Sequence, residues 1–294
     1  MYEKSVIDGA LFIYYNEDNA IGTGGNFMAR KFSLAYLTLA GVDPLEQIYI
    51  AGETGYDYVS LRTIPMGQPG EPQVILEKDP QLFRAVRQQM ESSNIKLLDI
   101  ELVRIREDLP ADYRGAFECG AILGAKHVLS SVWTKDYDFA AERYAQICDQ
   151  AAEFGLNVNM EFPIVSCMTT FRDTVAMQKR VGKPNLKVFV DTLYAHLDNL
   201  TPEDLKSLPP EDYGIIHLCD CPLEMPEDIV SVVREGRAYC GLGQAKLVEL
   251  LKAMPDHPCS IELPNVKNMK IFGRRGHAQM CLTAAKELFA QNGL

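Results

Sequence analysis

Four short apolar runs in the second half of the chain each close on a side chain that can bind a metal ion or move a proton. They are "VNMEF" with Glu161, "KVFVD" with Asp191, "GIIH" with His217 and "CSIEL" with Glu262. A carboxylate in such a place is costly to bury unless it is paired, hydrogen-bonded or bound to a cation. A single acidic group at the end of a strand is ordinarily a helix cap or a surface residue. Four successive runs that all end this way form a pattern. Three carboxylates and an imidazole make an oxygen-rich donor set, suited to Mn²⁺, Mg²⁺ or Co²⁺ more than to structural zinc. Brought together without a cation, the carboxylates would repel one another. The competing chemistry is a cysteine zinc clip in "YGIIHLCDCP", where Cys219 and Cys221 follow His217. Two thiols so close in sequence cannot build a tetrahedral site alone, and no second Cys-x-x-Cys or His-x-x-x-His cluster completes one.

The elements that must carry these residues repeat along the chain. From Lys31 onward, eight strand-like runs alternate with amphipathic helical stretches: "KFSLAYLTLAG", "DYVSLRT", "NIKLLDIELVRI", "AKHVLSSVW", "LNVNMEFP", "NLKVFVDTL", "YGIIHLCDCP" and "HPCSIELPN". Such alternation implies parallel βαβ units, and eight of them fit the length of a closed (β/α)8 TIM barrel, an α/β fold. A doubly wound open sheet is the competing architecture, but "TLAGVDP" is not the Gly-rich phosphate loop expected after its first strand. Residues 1–30, with the loop-like "NEDNAIGTGGNF", are expected to be an N-terminal extension, and residues 31–294 a single barrel domain. "MARKF", from Met28, resembles a chain start just ahead of the first strand. In a barrel, polar groups at the C-terminal strand ends meet at one mouth.

Composition narrows the partners. With 47% hydrophobic and 23% charged residues the chain reads as a globular protein with a sizeable core. A formal net charge of −11 without a basic block is a poor match for a nucleic-acid backbone or an anionic membrane. The eight cysteines are scattered through apolar segments and read as reduced, mostly buried thiols, which suits a cytoplasmic protein. A small-molecule partner is the expectation, and a homo-oligomer is compatible with it.

The segments "AAEFGLNVNMEFP", "GKPNLKVFVDTLYAH", "GIIHLCD", "GRAYCGLGQAKLVELLKA" and "SIELP" resemble, in order, the xylose isomerase-like sugar isomerase and epimerase barrels. These include D-tagatose 3-epimerase-like and inosose dehydratase-like enzymes, and the resemblance covers nearly everything from Lys31 onward. It implies that Glu161, Asp191, His217 and Glu262 bind one divalent ion, Mn²⁺ foremost, with Mg²⁺, Co²⁺ and Zn²⁺ as alternatives. It also implies that Glu161 and Glu262 act as the proton-transferring pair. The chain departs from the best-known members around the substrate. Tyr194 stands where many relatives have a histidine, Leu223 where epimerase-like members have an arginine, and Pro163 where true xylose isomerases have a lysine. The frequent Pro-Gly-Glu-Gly turn is "CGLGQ" here.

A divalent ion that holds two neighbouring oxygens of a hydroxy-ketone acidifies the adjacent C–H and stabilises an ene-diolate. One glutamate then takes the proton and another returns it. The expected function is a divalent-metal-dependent isomerase or epimerase of a keto-sugar or related polyol. The same site permits a lyase, namely a dehydratase of a keto-inositol or dehydroshikimate-like acid, or cleavage of an oxidised glycoside. A non-catalytic sugar-binding barrel is a further alternative, and the acidic charge opposes a DNA-repair role. Candidate substrate contacts are Arg62 at the end of "YVSLR", Trp133 at the end of the fourth strand, His196, Asp220 and Arg237. Four of the five have an ordinary alternative: a surface salt bridge for Arg62, core packing for Trp133, a cap for Asp220 and solvation for Arg237.

Overall fold

The computed structural model describes residues 3–7, 10–14 and 30–294. The expectation for residues 1–30 falls largely outside the described residues. Two of its stretches, Glu3–Ile7 and Ala10–Tyr14, pair as an antiparallel two-stranded ribbon.

The eight expected runs form eight parallel strands: β1 Phe32–Leu34, β2 Tyr58–Arg62, β3 Lys96–Ile105, β4 His127–Val132, β5 Asn157–Glu161, β6 Leu186–Asp191, β7 Tyr213–Leu218 and β8 Cys259–Ile261. Each strand pairs with its sequence neighbours, and β8 closes on β1 through Ser260 opposite Ser33. The fold is a closed (β/α)8 barrel. Its strands read as near-continuous apolar runs because the barrel interior covers one face and the helices cover the other.

Five helices of the outer layer are α1 Pro44–Thr54, α2 Pro80–Ser93, α3 Arg114–Ile122, α4 Tyr137–Glu153 and α5 Phe171–Val181. Asp43, Asp79 and Asp136 cap the first, second and fourth by accepting first-turn amide hydrogens. After β6 the elements become short: α6 Thr192–Leu197, α7 Pro202–Lys206, α8 Ile229–Glu235 and α9 Leu247–Ala253. The segment "TPEDLKSLPPEDY" between β6 and β7 holds only the five residues of α7 and a 3₁₀ turn, Pro210–Asp212, because Pro209 and Pro210 interrupt a longer helix. The last helix, α10 Val266–Asn292, changes direction at Gly273, where φ is 67°.

The first strand also differs from its sequence pattern. "KFSLAYLTLAG" is extended only over β1, and Tyr36–Leu39 turn away as a 3₁₀ segment. Thr38 fixes that turn: its hydroxyl donates to the Ile261 carbonyl and accepts from the Leu263 amide. Among the described residues no helix is long and apolar enough to cross a membrane.

Candidate metal centre and active site

Glu161, Asp191 and His217 lie on the last turns of β5, β6 and β7, and Glu262 directly follows β8. Asp191 stands opposite His217 in the sheet register, and His217 stands opposite Ser260. The register thus brings the ends of four consecutive strands to one rim. The four side chains offer one ligand atom each, and all of these atoms lie within 4.8 Å of one another. His217 Nδ1 lies 3.3 Å from Glu262 Oε2, 3.5 Å from Glu161 Oε1 and 3.9 Å from Asp191 Oδ2. All four residues are buried. Glu161 Oε1 and both ring nitrogens of His217 have no hydrogen-bond partner.

A fifth charged group closes the cluster from behind. The Arg237 guanidinium, fully buried, spans Asp191 Oδ2 at 2.6 Å and Glu262 Oε2 at 2.8 Å. It also donates to the carbonyls of Val233 and Glu262. Its backbone is held in turn by antiparallel bridges, Asp220 to Ala238 and Gly236 to Asn265. Burial opposes ionisation of Glu262, but His217 and Arg237 outweigh it and hold its carboxyl well below the usual range. Burial pushes Glu161, which has no arginine partner, up to about 7. Burial also works against a charge on His217, yet Glu262 and Glu161 win and raise it well above the ordinary imidazole value.

The cluster opens into a cavity of about 510 Å³ at the C-terminal mouth, where Glu161 and Glu262 reach the wall. Arg62 and Trp133 line the same cavity. The Trp133 indole N–H donates to Ser131 Oγ at 2.8 Å. His196 does not line the cavity; it is half-buried on α6. Arg237 lies beneath the carboxylates rather than in the cavity wall.

Residues 48–280 match the family model of the xylose isomerase-like TIM barrel. The chain belongs to this family. No curated protein matches it in sequence. Solved structures similar to it include the IOLI protein with a bound zinc atom, at 19% identity and a TM-score of 0.75, the match covering 89% of this chain and 99% of that one. D-psicose 3-epimerase from Clostridium cellulolyticum H10, solved with D-tagatose, is 14% identical with a TM-score of 0.64, over 88% of this chain and 99% of that one. D-allulose 3-epimerase from Methylomonas sp., in complex with D-allulose, is 15% identical with a TM-score of 0.62, over 90% and 98% of the two chains.

The donor set of this xylose isomerase-like barrel suits a divalent cation on its own evidence. Three carboxylates face one arginine, which leaves two negative charges for the cation to balance. The orphaned Glu161 and His217 atoms are the partners such an ion would satisfy. In its absence, a proton on His217 supplies part of the same neutralisation. Thiols are not part of the group. All eight cysteines are free, and Cys221 Sγ is turned toward Met225 Sδ at 3.2 Å.

Asp220 organises a loop. Its carboxylate accepts the amide hydrogens of Cys221, Gly241, Gly243 and Ala245, so both oxygens are occupied by backbone. This accounts for "CGLGQ": a Cβ on Gly243 would overlap the Cys221 carbonyl and the Asp220 carboxylate. Asp220→Ala should cost about 3 kcal/mol by removing the charged acceptor of four loop amides. Hydrogen exchange at the Gly241, Gly243 and Ala245 amides would report it, and unchanged protection would refute this role.

Sequence reading missed Glu101. It lies on β3, lines the cavity, and pairs with Arg62 at 3.2 Å. The signal was there: Asp99 and Glu101 alternate inside the otherwise apolar "KLLDIELV".

Proposed function

We propose that the protein is a divalent-metal-dependent isomerase or epimerase acting on a keto-sugar or related polyol. The observation that carries this reading is the convergence of Glu161, Asp191, His217 and Glu262 on one point at the rim of a 510 Å³ cavity. A divalent ion held by these four residues would supply Lewis-acid polarisation of substrate oxygens.

The protein's own groups do the rest. Glu161 reaches the cavity wall as a carboxylate with one oxygen that no protein group hydrogen-bonds, which places it to take a proton from carbon. Glu262, held ionised by Arg237 and His217, faces the same space and can serve the opposite side of the substrate carbon. Trp133 offers an apolar face to the sugar ring and sheds water from the mouth. Return of the proton to the same carbon inverts it, and return to its neighbour moves the carbonyl.

The test is a panel of keto-sugars and keto-inositols followed by NMR in D₂O with added Mn²⁺. Metal-dependent incorporation of deuterium next to the carbonyl, with an isomer or epimer as product, is expected. Loss of water from the substrate would mark a lyase instead, and no exchange across the panel would remove the proposal. Cys219→Ser and Cys221→Ser should keep their full complement of Mn²⁺, as measured by elemental analysis. Stoichiometric metal loss in either would put thiolate back among the ligands.

A further inference from the structure

The wall of the cavity beyond the four-residue cluster is built around a second buried arginine. Arg62, 9% exposed, lies over the Tyr36 ring with its guanidinium carbon 4.5 Å from the centroid. Glu71 holds one edge through Nη1 at 3.3 Å, and Glu101 holds another through Nη2 at 3.2 Å. Glu71 is itself pinned, since its other oxygen accepts the Gly67 and Gln68 amide hydrogens. Burial disfavours the charge on Arg62, but Glu101 and Glu71 more than restore it. One cation therefore faces two carboxylates, with little left to offer a third.

Two polar atoms of this group remain without partners, Arg62 Nε and Glu101 Oε1, a donor and an acceptor belonging to one ion pair. Hydroxyl groups, which both accept and donate, are the ligand groups that suit such atoms. A carboxylate or phosphate does not, because it brings no proton for Glu101 and adds a like charge beside it. The rest of the wall points the same way. Two arginines and five glutamates line the cavity, and Arg237 and Asp191 cancel behind it, so a single divalent ion leaves the wall net negative.

We propose that Arg62 and Glu101 bind substrate hydroxyls and, with Glu71, exclude anions, so that the cavity takes an uncharged polyhydroxylated compound rather than a carboxylated or phosphorylated one. The proposal rests on reading this cavity as the substrate site. Glu101 is the specificity-determining residue because it both accepts from a hydroxyl and keeps Arg62 neutralised.

The test is calorimetric titration of the Mn²⁺-loaded protein with 2-keto-D-gluconate, a carboxylated ketose, in wild type and in Glu101→Gln, Glu71→Gln and Glu235→Gln. Wild type should give no measurable binding. Glu101→Gln should bring the anion into the measurable range, at least about tenfold tighter than the detection limit that bounds wild type, as Arg62 is released. Glu71→Gln should gain in the same direction and carries the test if Glu101→Gln does not fold. Glu235→Gln removes an equal charge from the exposed rim and should gain little. A wild type that binds the anion overturns the proposal. So does a gain in Glu101→Gln and Glu71→Gln no larger than that of Glu235→Gln. If the D₂O panel shows no exchange, the isomerase reading fails alone, because the anion gain is read without turnover.

Discussion

Glu161→Gln should lose solvent-hydrogen exchange at the substrate by about a thousandfold or more while keeping the barrel folded, because the amide keeps the shape but cannot take the proton. Glu262→Gln should lose exchange to a similar extent. The two variants part company in stability. Glu262 is gripped by Arg237 Nη2 and lies close to His217, so removing its charge strands buried cations. Glu161 has no such arginine, and burial resists its ionisation. In the metal-free protein its folded carboxyl keeps a proton up to about 7, whereas the unfolded chain releases it near the ordinary glutamate value of 4.5. That contribution to stability is complete below 4.5 and is lost as pH rises through about 7. Metal-free Glu161→Gln should therefore gain on wild type in urea midpoint between pH 5 and pH 8, by less than the Glu161 proton alone would give because its carboxylate also faces His217, while Glu262→Gln should fall below wild type. Asp99, also pushed up to about 7 by burial, shifts both proteins alike and drops out of the difference. Retained exchange in Glu161→Gln, or equal stability losses in the two variants, would refute the division of labour.

That contrast shows what a linear sequence can and cannot display. A charged residue that closes an apolar run is conspicuous, and Glu161, Asp191, His217 and Glu262 were legible for that reason. The eight strands were legible because a barrel strand is covered on both faces and needs no polar alternation. Glu101 was harder, since the arginine that makes its burial tolerable lies 39 residues away on β2. Arg237 sits in a polar stretch, "REGRAYCG", that reads as solvated loop. Its burial is set by Asp191 and Glu262, 46 and 25 residues distant. Asp220 follows the same logic: three of the four amides it gathers belong to a loop more than twenty residues further on. The helices α6 and α8 escaped because six or seven residues are too few to display a helical period.

Arg237→Met should destabilise the metal-free protein by about 3–5 kcal/mol, the cost of leaving buried carboxylates without their counter-charge. For a chain of this size that corresponds to a fall of about 5–8 °C in melting temperature. The methionine fills much of the arginine volume, so the loss reports charge rather than a void. Arg237→Lys should fall between, since one ammonium cannot span Asp191 and Glu262 while also reaching the Val233 and Glu262 carbonyls. The metal dependence decides the matter. Arg237 and a divalent cation neutralise the same carboxylates, so deleting the arginine leaves a larger uncompensated charge for the ion to balance. The rise in melting temperature on adding Mn²⁺ should accordingly be greater in Arg237→Met than in wild type. A metal-free loss below about 1 kcal/mol would mean that Asp191 and Glu262 are not both ionised. An equal response to Mn²⁺ in the two proteins would mean that the ion does not share those carboxylates with Arg237.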